Sequence, residues 1–124
     1  LPSFDAAISG LILDLEQRGL LDETLVVYMT EYGRTPKINE KAGRDHWPNA
    51  FSIAFAGAGI QPGQVIGASD KTGAQVVDRP VSPEEIAATI LQLTGVSPRG
   101  AFLREDGRPM PYVDDAQPIS ELLA

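Results

Sequence analysis

Thr24-Leu25-Val26-Val27-Tyr28-Met29-Thr30 is an almost unbroken run of β-branched and apolar residues. A strand covered by helices on both faces of a parallel sheet is written this way, because neither face meets water. Just downstream the chain changes character, and residues 31–49 are polar, glycine-punctuated and rich in both signs of charge. Connections longer than ~12–15 residues in a compact domain are usually functional or disordered. Beyond this one, Ala50-Phe51-Ser52-Ile53-Ala54-Phe55-Ala56 reads as a second buried strand, ending in the turn Gly57-Ala58-Gly59-Ile60-Gln61-Pro62-Gly63. Upstream, Phe4, Ile8, Leu11 and Leu15 recur at helical spacing, with Ala7 and Ile12 widening the stripe. Ser3 is the expected N-cap of that helix and Gly19 its left-handed stop.

Further along, residues 64–68 read as a short edge strand and residues 69–79 as polar connection. Ser82-Pro83-Glu84-Glu85 supplies an N-cap serine, a proline at the first helical position and a glutamate three residues after the cap. Ile86, Ile90 and Leu93 form the stripe of this second helix, and Gly95 closes it. Asp106-Gly107-Arg108-Pro109 reads as a turn, and residues 119–123 as a last short helix. Helix, strand, long loop, strand and helix predict an α/β layered fold with a mostly parallel sheet flanked by helices, as one domain over residues 1–124.

Composition narrows the function. A chain of 124 residues with 43% hydrophobic content is long enough for a core, burying roughly two-thirds of its unfolded surface. It has no cysteine, which removes disulfides, thiolate nucleophiles and Cys-based metal sites. A formal charge of −7 argues against nucleic acid or an anionic membrane as main partner. No apolar run approaches the ~20 residues of a membrane span. The chain opens Leu1-Pro2-Ser3-Phe4-Asp5, almost on top of a helix, and reads as a piece of a longer protein.

In parallel sheets, ligands sit beyond the carboxyl ends of strands, which directs attention to Glu31, Tyr32, Gly33 and Arg34. His46 is the single histidine, beside Asp45. Imidazole with carboxylates is a ligand set for zinc, manganese or iron, and Gly33 and Gly43 would let Glu31 and His46 converge. The competing reading is a loop histidine packed on Trp47 and hydrogen-bonded to Asp45. Arg34, Lys37, Lys41 and Arg44 gather in the same loop, as a phosphate or sulfate ester would need. Against this stands a solvated loop in which Glu40 and Asp45 pair with those cations. Gly57-Ala58-Gly59 is not a dinucleotide fingerprint, since Pro62 takes the place of the third glycine and no helix opens there. Gly-x-Ser-x-Gly is absent, and Asp70, Lys71, Asp114 and Asp115 read as surface charge.

The order of these pieces resembles the C-terminal half of the alkaline phosphatase superfamily, which includes sulfatases and cofactor-independent phosphoglycerate mutases. Within it, Thr30-Glu31-Tyr32-Gly33-Arg34-Thr35-Pro36 and Gly43-Arg44-Asp45-His46-Trp47-Pro48 resemble a bacterial sulfatase-like family of unknown function, over residues 1–123. Glu31-Tyr32-Gly33 stands where the superfamily carries a metal-binding Asp-His-Gly, and His46 matches a further metal histidine. Gly57-Ala58-Gly59-Ile60 and Glu85-Ile86-Ala87-Ala88-Thr89-Ile90-Leu91 match a later turn and helix, and residues 106–111 resemble the sulfatase ending. Tyr32 departs from the usual histidine, and Glu31 is longer than the usual aspartate.

The resemblance implies an alkaline-phosphatase-like fold, C-terminal portion only, from a metal-dependent hydrolase of phosphate or sulfate esters. The nucleophile would lie outside this chain, leaving the piece inactive alone. It implies a divalent metal (zinc, manganese or calcium) on Glu31 and His46, with Asp45 as a ligand or as the carboxylate orienting His46. Arg34 and Arg44 would hold an anionic small-molecule or glycan ester. The implied partners are the remaining N-terminal half of the parent and, through exposed apolar surface, further copies in a homo-oligomer. Family resemblance alone points to export to the periplasm or beyond. The alternative is a degenerate, non-catalytic module that binds a polyanion, a sulfated glycan or a protein.

Overall fold

The computed structural model describes residues 2–115 and 117–123; Leu1, Ala116 and Ala124 lie outside the described residues, and with them the two ends of the expected domain. Along the chain run helix α1 (Pro2–Gln17), strands β1 (Val26–Tyr28), β2 (Gly33–Arg34), β3 (His46–Trp47), β4 (Ala54–Ala56), β5 (Ala68–Ser69) and β6 (Val76–Asp78), helix α2 (Pro83–Leu93), and strands β7 (Ala101–Leu103) and β8 (Pro109–Pro111). Single 3₁₀ turns stand at Leu21–Glu23 and Ser120–Leu122. Two compact units result, residues 1–57 with 65–80, and residues 58–64 with 81–124. No helix among the described residues is long and apolar enough to cross a membrane.

The expected layered fold with a mostly parallel sheet is not what the chain builds. Among the described residues the named strands pair antiparallel, β1 with β4, β2 with β3, β5 with β6 and β7 with β8, each pair a separate two-stranded sheet. The two apolar blocks do find one another, with Val26 opposite Ala56, Val27 opposite Phe55 and Tyr28 opposite Ala54. Only their direction differs, and the cause is the segment between them. A parallel partner needs a crossover, usually helical, that returns the chain to its starting end. Residues 29–53 contain no helix and fold out and back as the β2–β3 hairpin, so the chain re-enters beside β1 from the end it left. The alkaline-phosphatase-like architecture falls with the parallel sheet. Burial on both faces is missing too, since Val26 and Val27 are half-buried and Tyr28 is exposed.

In the first unit, α1 begins at Pro2, so Ser3 lies inside its first turn instead of capping it. Its end is as expected. Leu20 N–H donates to Leu15 O (2.8 Å) and Gly19 N–H to Glu16 O (3.0 Å), a Schellman closure with Gly19 at positive φ. The covered stripe is rotated, with Ile8, Ile12 and Leu15 half-buried while Phe4 and Leu11 are exposed. Phe4 lays its ring 4.8 Å from that of Tyr28. The expected edge strand over residues 64–68 contributes only Ala68 to β5, and the expected polar connection contains β6.

The second unit holds the buried side chains. Ser82 caps α2 in a complete capping box, with Glu85 N–H donating to Ser82 Oγ (3.1 Å) and Ser82 N–H to Glu85 Oε2 (2.9 Å). Among the described residues the buried side chains are Ile86, Ala88 and Thr89 on the helix and Ile119 and Leu122 at the last 3₁₀ turn. Thr89 hydroxyl donates to Glu85 O (2.7 Å) and accepts from Ile119 N–H (2.9 Å), so a fully buried polar group and a buried amide satisfy each other. An isolated bridge between Ile60 and Leu123 ties residues 58–64 into this unit.

Candidate functional site

The candidate residues fall on the β2–β3 hairpin. Arg34 stands opposite His46 and Gly33 opposite Trp47. Cross-strand partners leave a ribbon on the same face, so Arg34 and His46 share one face and Trp47 takes the other. Gly33 is required by close approach, because a Cβ there would run into the carbonyl oxygen of Ala50. Tyr32, two residues before Arg34, stacks on the His46 ring with centroids 3.9 Å apart and planes 24° apart.

Tyr32 also reaches Glu31. Partial covering, then the hydrogen bond to the Glu31 carboxylate and its charge, raise the phenol above its ordinary value of 10.0, against a downward pull from Arg34. Tyr32 thus carries the His46 ring on its face while its hydroxyl feels the Glu31 charge.

The connection between the strands is folded by polar side chains. Asn39 Oδ1 accepts from Lys41 N–H (3.0 Å) and Gly43 N–H (2.9 Å), and its Nδ2 donates to Asp45 Oδ1 (2.9 Å). Asn39 N–H donates to Gly43 O (2.8 Å), closing the tip. Thr35 N–H donates to Asp45 O (2.9 Å), and Asp45 N–H to Thr35 Oγ1 (3.1 Å). Arg44 Nη1 donates to the carbonyls of Thr35 (2.7 Å) and Pro36, while Arg34 Nη1 donates to Arg44 O (3.3 Å). Each guanidinium is thus steered by one nitrogen and keeps its remaining N–H donors without a protein partner among the described residues. Arg34, Arg44, Lys37 and Lys41 are all exposed.

On the opposite face, Trp47 Nε1–H donates to Ala74 O (2.8 Å), latching the hairpin to the turn of the β5–β6 pair. Asp70 organises that turn, with Oδ1 accepting from Thr72 N–H, Thr72 hydroxyl and Ala74 N–H, each at 2.9 Å. The Ala74 amide first, then the Thr72 hydroxyl and further amides, hold the Asp70 carboxyl below its ordinary value against a smaller opposing effect of burial.

The structure gathers some of the expected residues and separates others. Arg34, His46 and Tyr32 come together. Asp45 points its carboxylate at Asn39, and His46 packs on Tyr32 instead of Trp47. Among the described residues, no three His, Cys, Asp or Glu side chains group closely enough to hold a metal ion. Three contributors escaped the sequence reading: Asn39, Asp70 as more than surface charge, and the indole N–H of Trp47. Asp70-Lys71-Thr72-Gly73 carried a usable signal, an Asx-turn aspartate followed by a hydroxyl and a glycine; Asn39 carried none that periodicity could detect.

Residues 1–123 match the model of the family described as Protein of unknown function (DUF1501), and the chain belongs to that family. The match carries no link to the alkaline phosphatase or sulfatase superfamily. No curated protein and no solved structure matches the chain.

Proposed function

For this member of the DUF1501 family, we propose that the β2–β3 hairpin is a recognition element for an oxyanion, the phosphate or sulfate group of an ester or sulfated glycan. The observation that carries the proposal is the register of Arg34 opposite His46, with Arg44 held beside them by backbone carbonyls. Arg presents a fork of donors that matches an oxyanion bidentately. Anchoring one nitrogen of each guanidinium to the backbone lowers the side-chain entropy lost on binding. Of the nearby carboxylates, Asp45 is engaged by Asn39. As exposed charges act here, added salt weakens the interaction.

A fuller form of this reading makes the hairpin part of a metal-dependent ester hydrolase of the alkaline phosphatase superfamily, inactive as this piece alone. Its support is the stack of His46 on Tyr32 next to the Glu31 charge. The ligand set would then need residues beyond these two, and no chemical step follows from the chain itself.

Isothermal titration with inorganic sulfate, inorganic phosphate and a sulfated disaccharide tests the recognition element. Saturable binding that weakens with salt and falls at least tenfold in Arg34→Ala and Arg44→Ala is expected. Equal affinity in the wild type and both variants would refute it.

A further inference from the structure

The face that carries Arg34 and His46 is supported from the opposite side of the hairpin. β2 and β3 are two residues each, and so short a ribbon is marginal in water. A slip of one residue would turn every side chain to the other face. Thr35 N–H donates to Asp45 O (2.9 Å), so Arg34 and His46, one step along, form a non-hydrogen-bonded pair whose α-carbons lie closest together. An anchor from outside the ribbon comes from Trp47. Its indole N–H donates to Ala74 O (2.8 Å), across 27 residues of sequence.

The acceptor is itself aimed. Asp70 Oδ1 accepts from Ala74 N–H (2.9 Å), and Asp70 N–H donates to Gln75 O (2.9 Å), so one residue grips the chain on both sides of the Ala74 carbonyl. The same oxygen accepts from the Thr72 amide and hydroxyl, and Gly73 at φ 70° makes the left-handed step that brings Ala74 round. Bonds to a charged oxygen are stronger than neutral ones, which suits Asp70 to hold the turn in a single shape. The hairpin and this turn belong to the same compact unit.

We propose that Asp70 is a positioning residue for the Arg34–His46 face: it sets the Ala74 carbonyl, the carbonyl holds the Trp47 indole, and the indole locks the register that puts Arg34 opposite His46. The proposal rests on reading that face as an oxyanion site, although the register can be observed with no anion present. Asp70 acts on the face through the indole, so removing either end of the latch has the same consequence.

Nuclear magnetic resonance of the whole chain, with and without inorganic sulfate, tests this. Trp47 is the single tryptophan, so its indole N–H gives one signal. In Asp70→Ala that N–H should exchange faster with solvent and the Arg34–His46 α-proton contact should weaken, with the β1 and β4 amides unmoved. Asp70→Asn keeps an oxygen acceptor and should restore both. Trp47→Phe keeps an aromatic ring without the donor and should weaken the same contact. Sulfate affinity should fall about fivefold in Asp70→Ala and in Trp47→Phe, the scale of one neutral hydrogen bond. It should fall no further in D70A/W47F, because both residues act on one path. An unchanged indole signal and α-proton contact in Asp70→Ala, or additive losses in the double variant, would overturn the inference. Latch signals that behave as expected in a chain that binds no sulfate would support the latch and overturn the oxyanion reading instead.

Discussion

The α2 region and the β2–β3 hairpin are held by opposite means. Around α2, apolar side chains leave water, and one buried hydroxyl joins Thr89 to Ile119. The hairpin has no buried side chain among residues 31–49; Asn39, Thr35, Asp45 and Arg44 hold it by bonding to its backbone and to one another. Burial gives the first region stability and hides its polar groups. Polar bracing gives the second a defined shape while leaving cationic side chains in solvent. A region built the second way can present Arg34 and His46 to a ligand, whereas one built the first way can only support.

The two regions should respond differently to substitution, most of all at the buried pair. Thr89→Val leaves Ile119 N–H buried without an acceptor and should cost about 1–3 kcal/mol in chemical denaturation, with anion affinity at the hairpin unchanged. A neutral substitution would mean that the buried pair does not hold the unit. Asn39→Ala should show the reverse pattern, with global stability lowered by less than ~1 kcal/mol. Amide exchange at Lys41 and Gly43 should accelerate, and anion affinity should fall. Unchanged exchange at those two amides would remove Asn39 from its bracing role.

Two smaller effects depend on pH. Since the Asp70 carboxyl is held below its ordinary value, its contribution is full above about pH 4 and is lost as pH falls through the folded value. Asp70→Asn should flatten the acid side of a profile of thermal midpoint against pH; an identical slope would contradict the turn geometry. Tyr32 is raised, so its contribution is full below about pH 10 and is lost as pH rises through the folded value. Of the three tyrosines, Tyr32 should ionise late in near-ultraviolet absorbance, and Glu31→Gln should bring it earlier. No change in that variant would separate Glu31 from the tyrosine.

What the sequence revealed follows the same division. Ser82, Glu85 and Gly95 were legible because caps and stops are decided within a few residues of chain. The apolar blocks at β1 and β4 were legible as strands, but their direction was not. Direction depends on whether residues 29–53 return the chain by a crossover or turn it back as a hairpin, and a polar segment without periodicity does not announce either. At the site, residue type singled out His46, Arg34 and Arg44. The Tyr32 stack on His46 and the Asn39 bond to Asp45 arise from pairing register, which no local pattern carries. Within the hairpin, Asp45 is drawn to Asn39 while the His46 ring lies on Tyr32.

Recognition of one oxyanion by this hairpin requires its exposed cations to act together. The most direct test is a nuclear magnetic resonance titration of the chain with inorganic sulfate, following the Arg34 and Arg44 side-chain signals and the His46 ring. Saturable shifts confined to those groups and Tyr32, abolished in R34A/R44A, are predicted. Shifts spread evenly over the lysines and arginines of the chain, or persisting in that variant, would contradict it.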